Sequence, residues 1–137
     1  MPARQFVIAL AWVFAGGGLG TMARAGIDQA FTSHSWPWPT LAVNLVGTAL
    51  LAWLLTWSTG RPNAWRWGNP IRLGVGTGLL GGFTTYSAFG VQICQLWQNR
   101  PWLATAYAVG SLAAGVAAGL VAAGLTERHR ARHRAQP

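Results

Sequence analysis

Acidic residues are almost missing from this chain, since Asp28 and Glu127 are the only two among 137 residues. The basic residues are all arginines, and charged residues make up only 9% of the sequence, against 52% hydrophobic residues. That is too little charge for the surface of an ordinary soluble domain. Eighteen glycines and nine tryptophans fit a membrane protein instead, because small residues pack at helix contacts and aromatic rings lie at membrane interfaces.

The shortage of reactive side chains excludes several functions. The single cysteine, Cys94, rules out an intrachain disulfide. The sequence offers no nucleophile–base pair and no cluster of metal ligands, so we do not expect an enzyme. No Asp, Glu, His or Lys lies within the long apolar runs, which argues against a proton-coupled exporter. The net charge of +8 does not indicate nucleic-acid binding, because no soluble fold carries it.

Four uncharged runs, residues 5–23, 35–60, 73–99 and 101–126, are long enough to cross a bilayer. Each has about 19 residues or more, and a rise of about 1.5 Å per residue lets each span roughly 30 Å. We therefore predict an all-α membrane protein with one four-helix domain over residues 1–126. The basic tail at residues 127–137 is expected to meet anionic membrane lipids.

The third run contains residues that do not favour a continuous helix. Two adjacent glycines, Gly81 and Gly82, are followed closely by Thr84 and Thr85. Glycine loosens the backbone, and threonine side chains can capture backbone groups locally. We predict that the third helix is broken at its centre, between residues 81 and 85. Such a break exposes carbonyl oxygens, which suit a small cation near the bilayer midplane.

The stretch from Gly81 to Phe89 resembles the third-helix signature of the Fluc (CrcB) fluoride channels, usually written GG-hydrophobic-TTFSTF. Tyr86 stands where phenylalanine is usual, and Ala88 stands where threonine is usual. Residues 40–47 resemble the second-helix motif of that family, Thr-Leu-x-x-Asn-x-x-Gly. The glycine-rich stretch that leads to Arg24 resembles the first-helix pattern.

The resemblance implies a role for individual residues of this chain. It implies that the backbone carbonyls of Gly81 and Thr84 bind a structural sodium ion and that Arg24 attracts anions at a vestibule. The implied fluoride path comprises Thr40, Asn44, Tyr86, Ser87, Phe89, Tyr107 and Ser111.

From the residues alone, other interpretations stay open. Asn44 can equally form an interhelical hydrogen bond, because an asparagine within the membrane is costly unless it has such a partner or lines water. Tyr86 and Phe89 lie three residues apart on one helix face, which is also typical of packing. Arg24 can equally be an interfacial anchor.

The resemblance further implies a passive fluoride channel in the plasma (inner) membrane that gives fluoride resistance, assembled as an antiparallel, dual-topology dimer with two pores. Residue chemistry alone indicates only a small-anion channel. The alternatives are a small four-helix transporter of another ion or solute, and a structural membrane protein that conducts nothing.

The arginines are unevenly distributed over the four predicted spans. One side carries Arg4, Arg61, Arg66, Arg72, Arg128, Arg130, Arg132 and Arg134, and the other carries Arg24 and Arg100. The positive-inside rule then predicts both termini in the cytoplasm. A homodimer with dual topology needs the opposite orientation as well. One possibility is that the second subunit is a homologue whose arginines favour the opposite orientation. The other is that the late tail arginines hardly influence insertion, and the second subunit is then a second copy of this chain.

Overall fold

Every regular element in the described part of the chain is a helix. The computed structural model describes residues 2–31, 36–59, 69 and 71–134, and for 133 and 134 it describes the backbone only. The elements are α1 (Ala3–Ala30), α2 (Trp38–Ser58), α3 (Ile71–Leu80 continued by Gly81–Phe83), α4 (Ser87–Asn99) and α5 (Pro101–Arg134). The all-α prediction is confirmed for these residues. Positions 35, 60, 61 and 66, which belong to the predicted second span and to the arginine count, lie outside them.

Within the described ranges, three helices are long and apolar enough to cross a membrane. They are Ala3–Ala30, Trp38–Ser58 and Pro101–Arg132, in which an 18-residue stretch has a mean hydropathy of 1.8, 1.6 and 1.9, respectively. The third predicted span is divided between α3 and α4, and neither part reaches that length alone. The chain is thus a multi-pass membrane protein by its helices.

Two helices continue beyond the runs that the sequence defines. The first run ends at residue 23, but α1 continues to Ala30, where Arg24 and Asp28 form an ion pair of 3.1 Å across one turn. The fourth run ends at residue 126, but α5 continues to Arg134. Opposite charges four residues apart support helical turns, so a charged residue does not mark a helix end here.

The basic segment of α5 contacts the end of α2. The guanidinium of Arg130 donates to the carbonyl of Thr56 at 2.8 Å and also to the carbonyl of Thr59. The last carbonyls of a helix have no partner within that helix, so a cation that donates to them stabilises the helix end. The contact places the C-terminal ends of α2 and α5 on the same side of the molecule.

Glycines let α1 and α3 approach closely. A Cβ atom added to Gly78 would lie 2.7 Å from the carbonyl oxygen of Val13, and one added to Gly82 would overlap the backbone of Gly17. Gly16 and Gly20 on α1 are equally crowded by the backbone of α3. The glycines of both helices are spaced by four residues and so share one face of each helix, which lets the two backbones meet.

The first part of α3 is wound more widely than an α-helix. Ile71–Leu80 is a π-helix, in which the Thr77 hydroxyl donates to the carbonyl of Arg72, five residues earlier, at 3.4 Å. The side-chain oxygen of Asn69 accepts from the Ile71 amide at 3.0 Å and so caps its start. π-Helical turns occur often at functional sites, and this one leads directly into the interruption after Phe83.

Candidate functional site

The chain leaves helical geometry between α3 and α4. The Thr84 amide and hydroxyl both donate to the carbonyl of Leu80, at 3.0 and 2.9 Å. Thr84 then has φ −75° and ψ 158°, which is extended backbone, and α4 begins at Ser87. The interruption is narrower than the predicted 81–85, because Gly81 and Gly82 remain helical and Gly82 packs against the backbone of α1.

Asn44 holds the interruption from the neighbouring helix α2. Its side-chain amide donates to the carbonyl of Thr85 at 2.9 Å, and its side-chain oxygen accepts from the Thr85 amide at 2.8 Å. A carboxamide that satisfies both backbone groups of one residue replaces the hydrogen bonds of a continuous helix. Asn44 therefore does form the interhelical bond that the residues alone allow, and it forms it at the helix break.

Side chains take up the two amides that would otherwise satisfy the Gly81 and Thr84 carbonyls. In a continuous helix the Thr85 amide would reach the Gly81 carbonyl, and the Ala88 amide would reach that of Thr84. Here the Thr85 amide donates to Asn44, and the Ala88 amide donates to the Thr85 hydroxyl at 3.2 Å. Both carbonyls therefore lose their usual helical donors.

A glycine on α2 allows the break to come this close. A Cβ atom added to Gly47 would overlap the methyl group of Thr84. Gly47 follows Asn44 by three residues, so both lie on the face of α2 that meets the interruption. Any larger side chain at position 47 would have to displace the Thr84 side chain, whose hydroxyl donates to the Leu80 carbonyl.

A cavity of about 750 Å³ lies between α2, α3, α4 and α5, and it is partly open to the outside. Seven of the residues predicted for the site line it, namely Asn44, Gly81, Thr84, Tyr86, Phe89, Tyr107 and Ser111. Thr40, Ser87 and Arg24 are absent from this lining. Leucine, valine and glycine make up most of the remaining lining, so the cavity combines a few polar groups with apolar walls.

Aromatic rings form a continuous row along one side of this cavity. The centroids of Tyr86 and Phe89 are 6.2 Å apart, and those of Phe89 and Tyr107 are 5.3 Å apart. Trp36 continues the row, with its ring nearly perpendicular to that of Tyr107 at 5.6 Å. Phe89 is 9% exposed, whereas Tyr86 is 84% exposed at the open side.

Polar groups of the cavity differ in whether they have partners. The hydroxyl oxygen of Ser111 is buried and has no hydrogen-bond partner among the described residues. The Tyr107 hydroxyl donates to Gln92 at 2.9 Å, and Gln92 donates to Thr40 at 2.6 Å. Sequence reasoning missed Gln92, although a glutamine three residues after Phe89 within an apolar run was a usable signal.

Two further predicted residues lie outside the cavity. The Ser87 hydroxyl is exposed and lies 3.3 Å from that of Thr85, at the start of α4. Arg24 lies one turn beyond Thr21, whose hydroxyl is 3.5 Å from the carbonyl of Gly82. Because Arg24 pairs with Asp28, its charge near the helix break is partly neutralised.

Comparisons with known proteins match this chain over most of its length. The family described as "CrcB-like protein, Camphor Resistance (CrcB)" matches residues 11–125. The chain is 40% identical over 126 residues to "Fluoride-specific ion channel FluC 1" of Mycolicibacterium paratuberculosis, covering 90% of this chain and 93% of that protein. It is 47% identical over 108 residues to the protein of the same name from Cutibacterium acnes, covering 75% and 74%. It is 40% identical over 101 residues to "Fluoride-specific ion channel FluC 2" of Listeria monocytogenes serotype 4b, covering 73% and 76%.

Proposed function

The chain belongs to the CrcB family, and from that premise we propose that it is a passive, fluoride-selective ion channel and not an enzyme. The observation that carries the proposal is the identity of 40% over 126 residues with a relative named as a fluoride-specific channel. The arrangement of Asn44, Phe89 and Ser111 around one cavity supports it, because this set suits a small anion.

The path needs groups that replace the water around fluoride. The unpartnered Ser111 hydroxyl offers one hydrogen-bond donor, and the Asn44 amide has a second N–H beyond the one that Thr85 accepts. The positive edges of the Tyr86 and Phe89 rings can face an anion between these donors. Thr40 and Ser87 complete the proposed path. Thr40 acts indirectly, because its hydroxyl accepts from Gln92, and Ser87 contributes its hydroxyl at the exposed start of α4.

We also propose that a sodium ion binds at the break as a structural cofactor. The donor chemistry fits, because the Gly81 and Thr84 carbonyls have lost the amides that would pair with them in a helix. Backbone carbonyl oxygens are hard ligands of the kind that alkali cations prefer in membrane proteins. When bound, the cation would satisfy these carbonyls in a water-poor setting and hold the interruption open.

The assembly that we propose is a dimer of four-helix subunits in opposite orientations. Its support is the open side of the cavity, where Tyr86 is 84% exposed beside apolar walls. A second subunit would cover this ring and close a path that is otherwise open to lipid. Whether the partner is a second copy or a paralogous subunit depends on the arginine bias, which favours both termini in the cytoplasm.

The setting that we propose is the plasma (inner) membrane. Hydrogen fluoride is a weak acid that enters unaided and ionises in a less acidic cytoplasm, so the anion accumulates. A selective leak lets the anion leave down its gradient, helped by an inside-negative potential, and so gives fluoride resistance. Arg24 would draw anions to the vestibule, and the exposed arginines of α5, Arg128 and Arg132, would meet anionic lipid headgroups.

The experiment that tests the function is fluoride efflux from liposomes that contain the purified protein, measured with a fluoride electrode. We expect efflux well above that of empty liposomes, with chloride efflux close to background. Efflux of another ion or solute without fluoride would support a different small transporter. No efflux of either anion from correctly folded protein would support a structural membrane protein.

A further inference from the structure

Gln92 joins three helices behind the aromatic row. Its side-chain nitrogen on α4 donates to the Thr40 hydroxyl on α2 at 2.6 Å, and its side-chain oxygen accepts from the Tyr107 hydroxyl on α5 at 2.9 Å. Thr40 and Tyr107 are 2% and 3% exposed, so the bridge is shielded from solvent. Gln92 itself does not line the cavity, whereas Tyr107 does.

The bridge determines what Tyr107 presents to the cavity. A tyrosine hydroxyl has one proton, and here that proton is donated to Gln92. The hydroxyl then has only lone pairs left, which repel an anion, so it cannot serve as a donor on the path. What remains for an anion is the ring, which packs 5.3 Å from that of Phe89.

We infer that Gln92 is a positioning residue of the anion path, which holds the Tyr107 hydroxyl away from the cavity and its ring beside Phe89. The inference rests on the proposed channel function. Without the amide, the Tyr107 hydroxyl has lost its acceptor in an apolar setting and must turn toward the cavity. A hydroxyl donor in the cavity would hold an anion more tightly, slow its passage, and serve chloride as well as fluoride.

The test is liposome efflux of fluoride and chloride with Gln92→Met, which keeps the length of the side chain but not its hydrogen bonds. We expect fluoride efflux to fall about fivefold to thirtyfold, the factors that one and two lost hydrogen bonds are worth. The fluoride-to-chloride ratio should fall with it. Gln98→Met makes the same change at an exposed position of the same helix and should conduct like the parent protein.

Two further variants separate positioning from a purely structural clamp. Gln92→Glu keeps an acceptor for both hydroxyls and should restore the fluoride-to-chloride ratio. In a Tyr107→Phe background, Gln92→Met should change the ratio less than about twofold, because no hydroxyl is left to orient.

Each other outcome has a definite meaning. An unchanged ratio in Gln92→Met, or an equal fall in both backgrounds, would overturn the inference. If Gln92→Met does not fold, Thr40→Val weakens the same bridge from its other end and must lower the ratio in the same direction. Absence of fluoride efflux from the parent protein would instead reject the channel function itself.

Discussion

Replacing Asn44 with leucine should damage the helix break more than any other single change of similar size. The substitution removes both hydrogen bonds to Thr85, of 2.8 and 2.9 Å, and leaves the Thr85 carbonyl unpaired among apolar groups. The Thr85 amide is then free to return to the Gly81 carbonyl as in a continuous helix. The break would lose its clamp and one of its exposed carbonyls together.

The expected size follows from those two hydrogen bonds. Each is worth about 1 kcal/mol net, and bonds between helices in membranes fall in a similar range of about 0.6–2 kcal/mol. The stability of the broken helix relative to a continuous one should therefore fall by about 2 kcal/mol. That corresponds to a roughly thirtyfold fall in the population ratio of the two forms. We expect fluoride efflux from liposomes to fall by at least about tenfold. In detergent, we expect the parent protein to melt at a higher temperature in sodium than in choline, and Asn44→Leu to melt at the same temperature in both.

Two controls make this result specific. Asn99→Leu makes the same chemical change at the exposed end of α4 and should leave efflux and stability near those of the parent protein. Asn44→Asp keeps an acceptor for the Thr85 amide but adds negative charge, so sodium dependence should survive while fluoride efflux falls. Efflux and sodium dependence in Asn44→Leu equal to those of the parent protein would refute the clamp.

Three other substitutions test neighbouring parts of the site. Gly81→Val should reduce sodium-dependent stability far more than Thr84→Ala, since backbone oxygens and not the hydroxyl are the proposed ligands, and equal effects in melting experiments would contradict this. Tyr86→Phe should retain nearly full efflux, because the ring edge is kept, whereas a collapse of efflux would assign the anion contact to the hydroxyl. Asp28→Asn should raise efflux at low fluoride and low ionic strength by at most about fivefold, the most that an exposed ion pair is worth. An unchanged rate there would mean that the charge of Arg24 does not attract the anion.

Much of the fold was predictable because the bilayer imposes simple lengths. Apolar runs locate the helices, and glycines spaced by four residues predict the faces where α1 and α3 meet. The ends of helices were less predictable. A pair such as Arg24 and Asp28 neutralises itself across one turn, so α1 continues past the point where the apolar run stops.

The position of the helix break was predictable from the sequence, but the contact that holds it open was not. Glycine and threonine indicated where a helix is weak, and the weak point lies at residues 84–86. What holds it open is Asn44, 41 residues away in the sequence, and its pairing with Thr85 is a tertiary contact that no local pattern contains. The role of Gln92 was not predictable for the same reason, since its two partners lie on other helices.

The proposed cation site and the proposed anion path depend on the same two hydrogen bonds. By accepting from the Thr85 amide, Asn44 leaves the Gly81 carbonyl free at the C-terminal end of α3, where the helix dipole favours a cation. The same contact fixes the start of α4, whose N-terminal end favours an anion, whose N-cap residue is Tyr86 and whose first turn carries Phe89. A single interruption thus presents a negative helix end and a positive helix end a few residues apart. A change that closes the interruption must therefore weaken cation binding and anion passage together, whereas a change confined to the rings of α4 can alter passage alone.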